Sequence, residues 1–496
     1  MMSLFSRSLQ QFFILGLLAL TGSFALAAEG GPFVFDTQEP QEMTVLSQGT
    51  EAFQRRLDMI AGAKKTIDTE YFIYALDEAG RLFSQALIKK AQEGVKVRLL
   101  IDYALPGAQL GPYFAAKLKQ AGIEVRYYNP SIVLEPLKGQ FRSHRKSLIV
   151  DETSAMTGGR NIADEYFDLN PKYNYLDRDI LVKGTLAKAM RESFDIFWFS
   201  DLTEYPKFGE GPKLSDYGLT GDVNIDTLNG KDLARYRQAQ LYYQYGMKLA
   251  TAYITENAED RRVLDYFKAE GKKHISPTRL CTDSAYVADM PSLDDKSPEL
   301  YQKIKDELFT AKESIQVESP YFILQLKAAL LLEGILDKGV KVSVYTNSLN
   351  STDHVSTTDD FYPRMGPLLQ HGMDIYIYRG NSLKNENYYS EKIKNTLWGT
   401  HAKTAVIDGK TILVGTFNAD PRSVSINAEM AVFCRSNPEL AQDILQDFQV
   451  RQASSVKLDK DNQPVDGTSK FTSAPLSRVM EYFLLSPLAN IFSFLM

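Results

Sequence analysis

An internal duplication is the feature that most constrains how this chain can fold. The segment "AKKTIDTEYFIY" (63–74) resembles "AKESIQVESPYFIL" (311–324), and "EGVKVRLLIDYA" (93–104) resembles "KGVKVSVYTNSL" (338–349). The segments keep the same order in both halves, with only small insertions between them. Self-similarity of this kind predicts two copies of one domain, and 496 residues with 44% hydrophobic content suffice for two cores.

Each copy alternates helical segments with short β-branched strands. A helix that ends at Gly94 or Gly339 is followed by an apolar strand, and Ser297 with Pro298 marks the start of the first helix in the second copy. This alternation predicts a layered α/β domain with a largely parallel sheet. The predicted organisation is a signal peptide at 1–27, a first domain at 45–204, a helical insert at 205–275, a second domain at 276–455, a linker at 456–475 and an apolar tail at 476–496.

One polar pattern also occurs twice, in "FRSHRKSLIVDETSAMTGGRN" (141–161) and in "WGTHAKTAVIDGKTILVGTFN" (398–418). In a β-strand, residues i and i+2 point to the same face, so the His and the Lys of each copy stand side by side. A single occurrence would indicate a solvated edge strand. Its repetition in a chain with only five His indicates a functional site instead. The candidate catalytic residues are His144, Lys146, Asp151, His401, Lys403 and Asp408.

Two imidazoles with two ammonium groups suit exchange at a phosphodiester. One His attacks phosphorus to form a phospho-histidine intermediate, and the other protonates the departing oxygen. The lysines neutralise the phosphate charge, and Asn161 and Asn418 donate hydrogen bonds to the phosphate oxygens. Asp151 and Asp408 stand at strand-ending turns, which favours a structural role for them. Because neither copy holds both histidines, the two halves are expected to face each other across a pseudo-twofold axis.

A working His is commonly oriented by an acidic partner. Asp179 in "DRDILV" and Glu429 in "NAEMAVF" fall at matching points of the two copies and are the candidates for this role. Glu70 and Glu318, in the repeated strand, are a weaker alternative. No His, Cys, Asp and Glu cluster has the spacing of metal ligands, so neither a metal nor another cofactor is predicted.

Charge and cysteine content limit the possible partners and the compartment. The formal net charge of −6 disfavours a dedicated nucleic-acid binder, which usually carries a basic footprint. Cys281 and Cys434 match no metal spacing. They could pair in an oxidising compartment, but Cys434 lies in the strand-like "EMAVFC", which favours a free buried thiol.

Both ends of the chain are apolar. Ala25-Leu26-Ala27 fits the A-x-A cleavage pattern, which favours a signal peptide over an uncleaved anchor. The expected location is therefore periplasmic or secreted, at the periphery of a membrane. The apolar stretch after Glu481 is too short to span a bilayer. It lies in the membrane interface or packs back on the domain, and both interpretations remain open.

The doubled H-x-K-x4-D pattern, each time followed by Gly and Asn, resembles the phospholipase D superfamily. The segments "GGRNIADEYF", "TNSL" and "NADPRS" are similar to those of bacterial C-type cardiolipin synthases. The resemblance implies two duplicated phospholipase D-like α/β sandwich domains packed about a pseudo-twofold with the active site at their interface. It also implies His144 as the nucleophile and His401 as the acid/base.

The implied activity is phosphatidyl transfer between phospholipids. Phosphatidylglycerol and phosphatidylethanolamine are the expected substrates, the membrane surface is the expected partner, and any accessory protein is unknown. Three alternatives remain: a secreted phospholipase D that uses water as acceptor, an endonuclease of the same superfamily, and a non-catalytic lipid-binding protein. Transferase and hydrolase would use the same residues, so the motifs do not separate them.

Overall fold

The computed structural model describes residues 33–103, 111–130, 138–206, 211–217, 230–273, 275–293, 299–380, 393 and 395–492. The predicted signal peptide and the predicted helix start at Ser297 and Pro298 lie outside the described residues. The helices are α1 (Gly49–Gly62), α2 (Glu78–Gln92), α3 (Pro112–Gln120), α4 (Thr185–Trp198), α5 (Lys231–Ile254), α6 (Ala258–Glu270), α7 (Glu299–Phe309), α8 (Leu326–Leu336), α9 (Val355–Arg364), α10 (Gly366–Gln370), α11 (Pro421–Ser425), α12 (Pro438–Ala453) and α13 (Leu476–Phe492).

The first-half strands and those joining the halves are β1 (Phe33–Thr37), β2 (Gln41–Leu46), β3 (Thr66–Tyr71), β4 (Lys96–Asp102), β5 (Ile123–Tyr128), β6 (Ser147–Val150), β7 (Ser154–Gly158), β8 (Tyr173–Leu176), β9 (Asp179–Lys183), β10 (Thr203–Glu204) and β11 (Thr278–Cys281). Those of the second half are β12 (Ser284–Ala288), β13 (Ser314–Glu318), β14 (Lys341–Asn347), β15 (Asp374–Tyr378), β16 (Leu397–Thr400), β17 (Thr404–Ile407), β18 (Thr411–Gly415), β19 (Met430–Cys434) and β20 (Ser455–Lys457).

The strands form two large sheets that correspond to each other strand for strand. The first has the order β10-β5-β4-β3-β6-β7-β9-β2-β11, and the second, read from its far edge, has the order β20-β15-β14-β13-β17-β18-β19-β12-β1. Within these two sheets, as far as the structure describes them, only β3, β4 and β5, and likewise β13, β14 and β15, pair in parallel. The prediction of a largely parallel sheet was therefore wrong, because the chain returns through hairpins such as β6–β7 and β17–β18 after these strands.

The two sheets exchange their edge strands. β1 precedes the first domain in sequence but pairs with β12 in the second sheet, and β11 pairs with β2 in the first sheet. The domain boundary predicted at residue 45 falls within β2, and β20 lies at the start of the predicted linker. The exchange ties the halves together through backbone hydrogen bonds at both edges.

A disulfide lies at this junction. Cys281 ends β11 in the first sheet, Cys434 ends β19 in the second, and their sulfurs are bonded with the Cα atoms 6.1 Å apart. The prediction of a free buried thiol at Cys434 was wrong. The strand exchange brings together two cysteines that are 153 residues apart in sequence, which no local pattern indicates.

The sheets also share one apolar core. Ile149 and Val182 of the first sheet belong to the same buried cluster as Val406, Val414 and Val432 of the second. The two halves therefore form a single α/β body with an apolar core shared across their seam. Burial of apolar side chains at such a seam stabilises the association of the halves.

The helical insert covers the outer face of the first half. Phe53 of α1 packs against Phe267 of α6 with ring centroids 4.5 Å apart, and Arg81 of α2 binds Asp260 of α6. Helix α13 packs against α9 at the far side of the second half. No helix in the described part of the chain is both long and apolar enough to cross a membrane.

Candidate active site

Each histidine is held in place by the opposite half. The backbone N–H of His144 donates to the carbonyl of Ala428 at 2.9 Å, and the backbone N–H of His401 donates to the carbonyl of Leu176 at 2.8 Å. Residues just before His401 form β16, which pairs in parallel with β8 of the first half. In both copies the backbone N–H of the His binds the carbonyl of one residue of the opposite half. The imidazole of the His then lies beside the next residue in the sequence of that half.

That following residue is an acid in both cases. Nδ1 of His144 lies 2.9 Å from Oε2 of Glu429, and Nδ1 of His401 lies 2.7 Å from Oδ2 of Asp177. With Nδ1–H donating to a carboxylate, each ring presents Nε2 as its reactive atom. Each half thus supplies one candidate catalytic His and the acid that contacts the His of the other half, so a single copy could not form this site.

Of the two predicted orienting acids, Glu429 contacts a histidine and Asp179 does not. Oδ2 of Asp179 accepts hydrogen bonds from Arg56 at 2.9 Å and from Arg160 at 3.1 Å, in a fully buried cluster. The proposed orienting role of Asp179 was therefore wrong. Its carboxylate links Arg56 of α1 to Arg160, which follows β7.

The sheet register explains the error. Gly158 pairs with Asp179, and the equivalent Gly415 pairs with Ala431, so Glu429 corresponds to the residue two positions before Asp179. That residue is Asp177, which the sequence comparison missed. The sequence comparison aligned "DRD" of the first half with "NAE" of the second, residue for residue. This alignment placed the extra loop residues of the first half two positions away from where the structure has them.

The lysines lie behind the histidines. Nζ of Lys146 donates to the carbonyl of His144 at 2.7 Å, and Nζ of Lys403 donates to the carbonyl of His401 at 2.6 Å. Burial lowers the pKa of Lys146 to about 7 and that of Lys403 to about 8. The fraction of each lysine that is a neutral amine near neutral pH can therefore take up a proton when an anion enters.

Burial, together with the neighbouring lysines, also lowers the pKa of both imidazoles and favours their neutral form. The pKa of His401 falls to about 4, and that of His144 falls well below its usual value. The two acids differ. Burial raises the pKa of Glu429 well above its ordinary range, whereas His401 and Lys403 outweigh the effect of burial on Asp177 and hold its pKa low.

The two halves enclose a polar cavity of about 270 Å³ beside the histidines. Its walls include His144 and His401 and both predicted phosphate ligands, Asn161 and Asn418. The amide of Asn161 is fixed by a bond from the backbone N–H of Ile73 at 3.0 Å. The structure therefore brings the paired histidines and asparagines of the two motifs to a single chamber.

The motif aspartates have a structural role. The carboxylate of Asp151 accepts the backbone N–H groups of residues 64–66, and that of Asp408 accepts those of 312–314. Both residues adopt a left-handed backbone conformation at the turn. They fix the entry of the repeated strand and lie away from the cavity, so their inclusion among the catalytic candidates was wrong.

The strand acids are also structural. Glu70 forms a two-point ion pair with Arg145, at 3.1 and 3.0 Å. Glu318 accepts from Arg178 at 2.7 Å, across the seam between the halves. Neither contacts a histidine, so the weaker alternative for the orienting acid was wrong as well.

A further acid on the cavity wall was not identified from the sequence. Asp353 accepts hydrogen bonds from the hydroxyls of Tyr321 at 2.7 Å and Tyr175 at 2.9 Å. Burial opposes its ionisation, but His354 and His401 outweigh burial and hold its pKa below the usual value. The chain brings a carboxylate and two phenols to the same side of the chamber as His401.

Comparison with known proteins agrees with this geometry. A family model described as cardiolipin synthase, phospholipase D-like domain, matches residues 57–198 and 304–451, more than half of the chain. Cardiolipin synthase C of Escherichia coli is 29% identical over 84% of this chain and 86% of that protein. The major cardiolipin synthase ClsA of Bacillus subtilis is 29% identical over 80% of this chain and 66% of that protein.

The fold has a counterpart among solved structures. The phosphatidylserine synthase of Haemophilus influenzae superposes with a TM-score of 0.60 at 15% identity, covering 92% of this chain and 95% of that one. The chain belongs to the cardiolipin synthase, phospholipase D-like family. It is accordingly a phospholipase D-superfamily enzyme of the phosphatidyltransferase type.

Proposed function

We propose that this enzyme makes cardiolipin-type lipids by moving a phosphatidyl group from one phospholipid to the headgroup alcohol of a phosphatidylglycerol. The observation that carries the proposal is the crossed pairing of each His with an acid of the opposite half, which places both rings on the wall of the polar cavity of about 270 Å³. Similarity to proteins named cardiolipin synthase supports the choice of lipid phosphodiesters as substrates.

The proposed first step is attack of Nε2 of His144 on phosphorus. The phosphorus–oxygen bond to the donor alcohol breaks, and His401 gives its proton to that oxygen. The assignment of His144 as nucleophile rests on the family resemblance. The negative phosphodiester raises the pKa of His401 from about 4, because an opposite charge nearby favours the charged imidazole.

The second step reverses these roles with a new alcohol. His401 takes the proton of the acceptor hydroxyl, its oxygen attacks phosphorus, and the phosphorus–nitrogen bond to His144 breaks. Lys146 and Lys403 compensate the charge on the phosphoryl oxygens. Asn161 and Asn418 are suited to donate to the same oxygens as charge builds in the transition state.

The acceptor is proposed to bind on the side of Asp353. This ionised carboxylate lines the chamber together with Tyr321, Ser356 and Thr357. A wall of hydroxyl and carboxylate groups suits a polyol better than a bulky base, because each acceptor hydroxyl finds a hydrogen-bond partner. Glycerol in a phosphatidylglycerol headgroup is such a polyol.

We also propose that the protein is exported and lies at the periphery of a membrane. Helix α13 exposes Leu476, Met480, Phe483 and Leu484, which form an apolar surface suited to a lipid interface. The Cys281–Cys434 disulfide suits an oxidising compartment such as the periplasm.

Lipid product analysis tests the proposal. The purified chain is incubated with phosphatidylglycerol vesicles, with and without phosphatidylethanolamine, and the products are identified by mass spectrometry. Cardiolipin with free glycerol or ethanolamine is expected, and the alcohol released identifies the donor. Phosphatidic acid as the main product would make the protein a phospholipase D, and cleavage of DNA without lipid turnover would favour the endonuclease.

A further inference from the structure

The second half contains an apolar cavity of about 120 Å³ between α7, α8 and the second sheet. Half-buried and buried aliphatic side chains form most of its wall, including Ile304, Leu308, Ile315, Ala328, Leu332 and Val344. An apolar cavity of this size binds small hydrocarbons in preference to water. Its lining therefore indicates an apolar ligand.

The corresponding space in the first half is filled by a phenyl ring. Phe83 and Ala328 each lie eleven residues before the glycine that follows their helix, Gly94 or Gly339. Phe83 is fully buried, with its ring centroid 5.9 Å from that of Tyr71. The duplicated scaffold thus accommodates an aromatic residue at this position, and the second copy has the smallest apolar side chain there.

The equivalent helices α2 and α8 also differ in the polarity of their outer surfaces. In the first half Arg81 and Gln85 of α2 bind Asp260 of the helical insert. The equivalent residues of α8 are Leu326 and Leu330, which are 74% and 55% exposed. A polar face covered by protein in one copy is an exposed apolar face in the other.

The apolar cavity adjoins the catalytic chamber. Ile323 and Asp420 line both spaces, and Lys403 lines the apolar one. A phosphate held near Lys403 would therefore have an apolar recess beside it, within the same half that exposes Leu326 and Leu330 to solvent.

We propose that this cavity binds an acyl chain of the phospholipid whose phosphate reacts at the two histidines, with the exposed leucines of α8 turned to the membrane. The inference rests on the proposed function, since it takes a phospholipid as substrate. It adds a binding site for the apolar part of that substrate and places it in the second half alone. Burial of the chain would hold the phosphate in register with the histidines.

The test compares Ala328→Phe, which restores the residue of the first half, with Ala329→Phe as control. Ala329 is on the same helix and does not line the cavity. The substrates are bis-p-nitrophenyl phosphate, which has no acyl chain, and a series of short-chain phosphatidylglycerols kept monomeric. In the wild type, each methylene that enters the cavity is expected to raise kcat/KM by about fourfold. Ala328→Phe should abolish this rise, and Ala329→Phe should retain it.

Hydrolysis of bis-p-nitrophenyl phosphate should be equal in the wild type and both variants, which shows that the histidines are intact. Ala328→Leu places a smaller side chain in the cavity than Ala328→Phe does. It should therefore reduce the dependence of kcat/KM on acyl-chain length only in part. Equal chain-length dependence in the wild type and Ala328→Phe, with a folded protein, would overturn the inference.

A binding measurement separates this inference from the proposed function. Fluorescence of a pyrene-labelled fatty acid is followed with the inactive His401→Ala protein, and with the same protein carrying Ala328→Phe or Ala329→Phe. Binding that Ala328→Phe alone abolishes supports the acyl site even if no phospholipid is turned over. Binding that Ala328→Phe leaves unchanged contradicts the acyl site even if cardiolipin is formed.

Discussion

Replacing Asp177 by Asn should remove most of the chemistry and leave the protein folded. The Oδ2 atom of Asp177 lies 2.7 Å from Nδ1 of His401 and fixes which ring nitrogen carries the proton. An amide can turn its NH₂ toward the ring and select the wrong tautomer, which in a Ser-His-Asp triad costs about 10⁴ in kcat. A similar arrangement here predicts a fall in kcat of about 10³–10⁴ with little change in KM.

The pH profile gives a second readout of the same change. Asp177 raises the pKa of His401, but burial and Lys403 lower it by more, so that this pKa is about 4. Removing the carboxylate lowers this pKa further, so the acid form of His401 needs a lower pH. The residual activity of Asp177→Asn should therefore have its maximum shifted to lower pH than in the wild type, measured with a chromogenic phosphodiester.

Asp179→Asn is the matched control, two residues along the chain. Asp179 is paired with Arg56 and Arg160 and contacts no histidine. Loss of this buried partner should lower the free energy of unfolding by about 3–5 kcal/mol and leave kcat of the folded fraction within a fewfold of the wild type. Activity above one tenth of the wild type in Asp177→Asn, or loss of chemistry in folded Asp179→Asn, would refute the crossed-pair assignment.

Three further results are expected. Glu429→Gln should reduce kcat by about tenfold or less, because burial raises the pKa of Glu429 well above its ordinary range and so weakens the charge that the amide removes; steady-state kinetics with the chromogenic substrate measure the change in kcat. Changing both Cys281 and Cys434 to Ser should lower the free energy of unfolding by about 2–5 kcal/mol, because the bond closes a long loop; guanidinium unfolding measures it. Binding of dimethyl phosphate, a monoanion at both pH values, to the His401→Ala protein should take up between about one and two protons at pH 8 and almost none at pH 6. The reason is that the pKa values of Lys146 and Lys403, about 7 and about 8, lie below that of a free lysine and rise beside an anion; calorimetry in buffers of different ionisation enthalpy measures the proton uptake.

Each of these has an outcome that contradicts it. A loss in Glu429→Gln as large as in Asp177→Asn would mean that both acids work ionised. Unfolding curves that coincide for the double Ser variant and the wild type would mean that the thiols are not bonded. Equal proton uptake at pH 6 and pH 8 would mean that the lysines are already charged before the anion binds.

The local parts of the site could be predicted from the sequence, because they follow from short-range geometry. The spacing of two residues predicted that His144 and Lys146 belong to one site, although the structure places both just before β6 and not within it, and the repeat at His401 indicates that the pattern matters. The duplication also predicted two equivalent α/β units, and the paired sheets confirm them. These inferences depended on nothing beyond a few consecutive residues and their recurrence.

The rest depends on how distant segments meet. Asp177 reaches His401 only because β8 pairs with β16 of the other half, and its equivalence to Glu429 needs the sheet register, since the loops differ in length. The bond between Cys281 and Cys434 follows from an exchange of edge strands that no periodicity reveals. The local sequence does not contain this information, because the pairing of distant segments depends on the whole fold.

A covalent intermediate is the most direct test of a two-histidine site built from both halves. The enzyme is mixed with a short-chain phosphatidylglycerol, quenched rapidly under alkaline denaturing conditions that preserve phospho-histidine, and analysed as intact protein and as peptides by mass spectrometry. One phosphatidyl adduct per chain, on His144 and absent from His144→Ala, is the expected result. Lipid turnover that persists in His144→Ala, or an adduct on a residue outside the two motifs, would contradict the mechanism.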